Sequence, residues 1–513
     1  MKNTGIVSAG AAAVLGAVLL AAVPFAAPAQ AQDTSKDIKI VMASAVDVVE
    51  PCHMNSTGYI GLVLKENVVE TLLKLDPKTS KPLPNLATEW TQVDPRTWRI
   101  KLREGVKFHD GTPFDADAVV TALNRQFVPE LACRDMIRSF GSVRIQPKAV
   151  DKYTVDIVTT EPMPLMPLTL AQTGMTAPST SMKEASRAPV GTGPYVFTSW
   201  DPAQSLVLTR FDGYWGDKPQ VRKATYVWRS EPALRASMVQ VGEADIGLQI
   251  APQDAVNPET DIGYLNADTS RVRFFMDKPP LNDVRVRKAM NLAVDRSAFI
   301  GTIVSPLSVP ASQFMLPSVN GYDPTLKPWP YDPAKAKALI AEAKAAGVPV
   351  NKEIVLYGSE FMQANLSEML ETLVQNWQEI GLNVKIQMVD KIQHSAIRRK
   401  PYPTDRGPTM VHELHDNVAG DAFYTMIVYY TSNGGLTNIY DPALDKLLQQ
   451  ASVSTGEERT KLFQQANRQI QQDIVPDVML FHMVSYIRVG KRVSYTPDFT
   501  TQGKLELSAI TFK

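Results

Sequence analysis

Leu366, Met369, Leu370, Leu373, Val374, Trp377 and Ile380 fall on one face of a helix, and the stripe stops at Gly381. Leu382, Val384, Ile386 and Met388 follow at once, alternating with polar residues at the period of a half-buried strand. An apolar helix face and an apolar strand face joined this tightly must be buried in adjacent layers. A pure bundle or a pure sandwich cannot satisfy both periods, so the chain is predicted to fold as layered α/β.

The same pattern recurs. Thr97–Leu102 alternates, as do Tyr153, Val155 and Ile157, and strands are also expected at 37–43 and 206–211. Residues 67–75 read as a short helix or strand running into the turn Asp76-Pro77. Asp115 and Asp283 are predicted to cap helices. Asp332-Pro333 opens a helix that ends at Gly347, Asp441-Pro442 opens another, and 457–472 is a further one. No internal repeat or low-complexity tract interrupts this order, and a length of 513 residues suggests two to four structural units.

Lys plus Arg equals Asp plus Glu at 53 each, so no basic excess is available for nucleic acid. Hydrophobic residues make up 44% of the chain, enough for a large core. Residues 1–31 read as a removable signal peptide: Lys2, an apolar run over 6–27, then the small-x-small site Ala29-Gln30-Ala31. A membrane helix is the competing reading, weakened by Pro24 and Pro28. Export implies an oxidising compartment, most simply a periplasm, and no Cys follows the apolar run to carry a lipid. Cys52 and Cys133 are the two cysteines; the expectation is one disulfide, with two separate buried thiols as the alternative.

Four stretches carry a resemblance. The first is Leu86-Ala87-Thr88-Glu89-Trp90, followed by the run from Trp98 through Leu102-Arg103-Glu104-Gly105-Val106-Lys107-Phe108-His109-Asp110-Gly111-Thr112-Pro113-Phe114. The second is Gly191-Thr192-Gly193-Pro194-Tyr195, continuing to Tyr214-Trp215-Gly216. The third is Lys278-Pro279-Pro280-Leu281-Asn282-Asp283-Val284-Arg285-Val286-Arg287-Lys288-Ala289, and the fourth Tyr440-Asp441-Pro442-Ala443-Leu444-Asp445-Lys446-Leu447-Leu448. In this order they resemble the large peptide, nickel and oligosaccharide class of solute-binding proteins of ABC importers. Read physically, most of these residues are turn formers and sheet positions; His109-Asp110 is expected to be scaffold, and Arg285 and Arg287 to make solvent or salt-bridge contacts.

The resemblance implies a two-lobed fold of the periplasmic-binding-protein type, hinged, with an extra subdomain in the first lobe. Lobe I would be 32–270 with the subdomain at about 69–182, lobe II 271–486, and 487–513 would return to lobe I. It implies capture of a small peptide or peptide-like solute and delivery to a membrane permease with cytoplasmic ATPase subunits. The protein would act as a monomer with no cofactor. A nickel chelate, an opine or an oligosaccharide is the alternative cargo on the same scaffold.

In peptide binders of this class an Asp of the second lobe holds the ligand's α-amino group. The matching stretch here is Asp416-Asn417-Val418-Ala419-Gly420-Asp421-Ala422-Phe423, which makes Asp416 the candidate clamp; turn hydrogen bonds are its alternative role. His415 and Asn417 flank it, and Tyr430 and Asn433 follow. The loop after the first strand offers His53, Met54 and Asn55. His412 and His415 would share a face if helical, which with His53 raises a metal reading; Asp416-Asn417 and the glycine favour a loop, and no spacing is diagnostic of a metal.

An exported enzyme is the rival class. G-x-S-x-G, H-E-x-x-H and P-loop patterns are not found, and His412-Glu413-Leu414-His415 is one residue short of the zinc-protease spacing. A receptor that delivers its ligand for signalling rather than uptake is a third reading of the same fold.

Overall fold

The computed structural model describes residues 34–55, 59–363, 365–416 and 419–513. The signal-peptide expectation at 1–31 and the candidate Asn417 lie outside them.

Residues 36–513 form one compact unit around a large mixed sheet. Its main strands are β1 (Asp37–Met42), β2 (Tyr195–Asp201), β3 (Ser205–Arg210), β4 (Lys223–Trp228), β5 (Ile246–Ile250), β6 (Asp261–Phe274), β7 (Ile354–Gly358), β8 (Val384–Met388), β9 (Thr409–Asp416) and β10 (Asp477–Val489). They lie in the order β8-β7-β9-β6-β10-β5-β1-β4-β3-β2. Each half has a parallel set, β4-β1-β5 on one side and β9-β7-β8 on the other, and antiparallel β3 and β2 extend the first. Between them, β6 and β10 run antiparallel to their neighbours and to each other.

β6 and β10 are the longest strands, at 14 and 13 residues. Asp261–Leu265 pairs with Val484–Arg488, and Thr269–Arg273 pairs with Asp477–His482. The register shifts between Leu265 and Thr269 and again between Ser270 and Arg271. Two irregularities at mid-strand concentrate bending there, where a ladder would otherwise be stiff. Asn266 spans the break, donating from Nδ2 to Ser485 Oγ at 2.9 Å and accepting from the Asp268 amide at 2.8 Å.

The apolar cores segregate with the lobes. One gathers around β1, β3, β4 and β5 with residues 487–510. A second lies in the subdomain, from Leu72 to Ala177, under the antiparallel strands Ala87–Asp94, Thr97–Leu102, Ile145–Asp151 and Thr154–Thr159 and the helix Ala116–Arg125. A third surrounds fully buried Trp377, whose Nε1 donates to Met290 O at 2.9 Å. The helices Val284–Leu292, Pro333–Ala345 and Leu366–Glu379 supply much of it.

Helix boundaries follow local chemistry. Asp115, Asp283, Asp332 and Asp441 each accept a backbone N–H in the first turn that follows. Gly347 and Gly381 close helices at φ +85° and +94°, where a side chain would be strained. Within 67–75 only Leu73–Leu75 is a strand; Asn67 is buried and bridges Leu505 O and the Leu507 amide. The helix expected at 457–472 is α-helical over Gly456–Arg468 and widens to a π turn over Gln469–Ile474. His109 is packed scaffold, bonded through Nε2 to Gly193 O at 2.8 Å. Arg285 pairs with Asp283 at 2.6 Å, whereas Arg287 is buried and donates to the carbonyls of Leu281 and Ile474.

Candidate functional site

The loop after β1 is fastened to the subdomain. Glu50 is fully buried; its carboxylate accepts from Arg125 Nη1 at 2.6 Å, Arg125 Nη2 at 2.8 Å and the amides of Cys52 and Ser186. Burial would raise its pKa, but Arg125 and the two amides outweigh it and bring it below the ordinary value. Cys52 and Cys133 are joined by a disulfide. Asn55 donates from Nδ2 to Asp135 at 2.9 Å and Gln172 O at 2.6 Å, and accepts from Lys65 Nζ at 2.9 Å. Met54 is buried against Gly174, and His53 accepts from the Arg134 amide at 3.3 Å. These three sequence candidates therefore pack against or bond to the subdomain.

The second group sits on β9 and the helix Ala422–Tyr429. β9 pairs with β6 without a break from Phe274↔Met410 to Asp268↔Asp416, so the stretch ending at Asp416 is strand rather than loop. His412 and His415, three apart, consequently point to opposite faces. His412 is fully buried against Ser270 Oγ at 2.9 Å, and burial lowers its pKa to about 3. His415 bonds Thr425 Oγ1 at 2.9 Å and stacks on Phe314 with ring centroids 4.9 Å apart. The three-histidine set is not brought together. Among the described residues no group of three or more His, Cys, Asp or Glu is placed to hold a metal ion, and no helix is long and apolar enough to cross a membrane.

Behind His415 lies a charge cluster that local sequence patterns do not reveal. Arg271 is fully buried and donates to Glu413 Oε2 at 2.7 Å and to Tyr430 Oη at 2.9 Å, and pairs with Asp477 Oδ1 at 3.0 Å. Its guanidinium also lies 4.1 Å from the Phe314 ring centre and 4.3 Å from that of Tyr429. Arg273 reaches Glu413 Oε1 at 3.1 Å and Arg398 reaches it at 3.6 Å. Burial alone would raise the Glu413 pKa; the guanidiniums of Arg273, Arg271 and Arg398 overcome it and bring it to about 2. Burial pushes Asp477 up. Tyr430 thus belongs to this cluster, its hydroxyl donating to Asp477 at 2.8 Å, while Asn433 is exposed in the turn that follows.

A cavity of about 740 Å³ opens between the subdomain and this second group. Residues 139–143 and 161–165 line one wall, and His415 with residues of the helix Ala422–Tyr429 lines the other. The helix is capped by Asp421, which accepts from the Phe423 amide and is gripped by Arg459 at 2.8 Å. Phe423 and Tyr424 pack on the subdomain core, and Tyr424 Oη lies 3.2 Å from Thr169 Oγ1. The volume is that of a small-molecule site. A concave, partly open cavity beside irregular strands is suited to capture by closure, in which a ligand selects the closed form.

The profile of the family described as "Bacterial extracellular solute-binding proteins, family 5 Middle" matches residues 81–434. The chain belongs to this family. The solute-binding protein is 27% identical over 496 residues to the glutathione-binding protein GsiB of Escherichia coli (strain K12), covering 92% of each chain. Its fold superposes on a nickel ABC transporter protein from Bacillus halodurans with a TM-score of 0.77, at 23% identity and covering 93% and 99% of the two chains. It superposes likewise on DppA from Helicobacter pylori in complex with the peptide STSA, with a TM-score of 0.72, 19% identity and 93% and 98% coverage. The two-lobed α/β fold expected from the motifs is the fold observed, and the protein is a solute-binding protein of this family. Its sequence candidates divide: His415 lines the cavity, Asp416 lies next to it at the end of β9, and His53, Met54 and Asn55 are held on the subdomain side.

Proposed function

We propose that this solute-binding protein captures a small peptide or peptide-like solute between its lobes and hands it unchanged to the permease. The observation that carries the reading is the backbone position of Asp416: it ends β9 directly after His415, which lines the 740 Å³ cavity. A carboxylate there would accept charge-assisted hydrogen bonds from a ligand ammonium, and closure would strengthen them by removing water. The ligands named for its relatives, glutathione and the peptide STSA, support the class.

In this reading lobe I comprises 32–270 with the subdomain at about 69–182, lobe II comprises 271–486, and 487–513 returns to lobe I. The boundary at 270–271 coincides with the second register shift of β6, which supports a hinge there. Residues 1–31 direct export to the periplasm, where the monomer meets the permease and its ATPase subunits.

Mass spectrometry of ligand released from the purified protein tests the class directly; recovery of a converted product would overturn the binder reading. Asp416→Asn is expected to weaken an amine-bearing ligand more than tenfold. An unchanged Kd by calorimetry would rule the clamp out.

A further inference from the structure

We propose that the cavity takes the large apolar side chains of a short peptide and turns away acidic ones. This rests on the peptide reading above and adds the side-chain class. Phe140, Val143 and Met163 form one wall and Ile427, Val428 and Leu436 the other. Ile427 is 41% exposed and Val453, also on the lining, is 57% exposed. Large apolar groups left open to solvent inside a concave site are surface that a ligand can cover.

Three polar groups of the lining are already engaged with the protein. His415 bonds Thr425, Tyr424 bonds Thr169, and Asp421 is paired with Arg459. Glu161 places an exposed carboxylate on the subdomain wall. No Lys or Arg is among the described lining residues. A ligand carboxylate entering here would lose its water without gaining a cation and would meet Glu161. A Phe or Leu side chain would be gained without that loss. The clamp would hold the peptide's ammonium while the cavity reads its side chain.

The test uses the full mature protein, emptied of ligand by reversible unfolding, and calorimetric titration with Ala-Phe-Ala, Ala-Glu-Ala and glutathione, which carries two carboxylates. Ala-Phe-Ala is expected to bind at least tenfold more tightly than either of the others. Ile427→Lys, on an exposed helix position, is expected to narrow the Phe-to-Glu ratio at least fivefold while the thermal midpoint stays put. Equal or tighter binding of Ala-Glu-Ala by the unmodified protein, or an unaltered ratio in the variant, would overturn the inference and leave the peptide reading standing. Failure of all three to bind would overturn the peptide reading and the inference together.

Discussion

His482 and His412 show what burial does to a single ionisable residue here. His482 is nearly fully buried, bonded through Nδ1 to Thr269 Oγ1 at 2.9 Å, and burial lowers its pKa to about 4 from 6.5. His412 is lowered further, to about 3. A base whose folded pKa is depressed contributes stability in full above 6.5 and loses it as the pH falls toward the folded value, because the unfolded chain takes up the proton first. Glu70 works the other way: burial, with Glu66 nearby, raises it to about 7, so its contribution is present below 4.5 and lost as the pH rises through 7. The clean quantity is therefore a difference between variants. His482→Gln is expected to reduce the acid-side loss of stability between pH 6.5 and 4 by up to about 1.4 kcal/mol per pH unit. Urea unfolding across that range reads it, and parallel profiles for the two proteins would refute the assignment.

At the scale of elements, the helix Ala422–Tyr429 lines the cavity and is anchored at its start. Its cap residue Asp421 accepts from Phe423 N at 2.9 Å, Asn320 Nδ2 at 2.8 Å and both arms of the Arg459 fork. Asp421→Ala would leave the buried Arg459 guanidinium without its carboxylate, and is expected to cost about 3–5 kcal/mol in urea unfolding. A loss under 1 kcal/mol would show that Arg459 finds another partner. Element ends of this kind were legible in the sequence, because a cap and the amides it satisfies lie within three residues. Asp115, Asp283, Asp332 and Asp441 all belong to that class. The cluster of Arg271, Glu413, Tyr430 and Asp477 was not, because it joins Arg271 to residues 142 and 159 positions away and Tyr430 to one 47 away, and no local period records such contacts. The face assigned to His412 and His415 depended on whether the segment was helix, loop or strand, and pairing with β6 decided that.

For the whole molecule, the staple between the first loop and the subdomain fixes which bodies can move. The Cys52–Cys133 bridge closes a loop with a sequence separation of 81, and Glu50–Arg125 lies buried beside it. A crosslink of this span constrains the unfolded chain by about 2–4 kcal/mol. The Cys52→Ser/Cys133→Ser double variant is expected to lose that much stability. An assay of the unfolded, unreduced wild type is expected to find no free thiol, and two thiols per chain would contradict the pairing. The subdomain is thus fixed to the loop, and in the proposed closure bending would fall to the irregular middles of β6 and β10.

The placement of β10 also bears on how the chain is made. This strand lies between β6 and β5 in the middle of the sheet, yet it is the last of the main strands in sequence. Nearly the whole polypeptide must be synthesised before the gap at the centre is filled. Its neighbours β5 and β6 end at Ile250 and Phe274 and it begins at Asp477, so at about 5–20 residues per second roughly ten to forty seconds pass with the two halves of the sheet unjoined. During that interval a nascent chain has no closed central ladder to undo, which would keep it threadable through a narrow pore if it is exported as proposed.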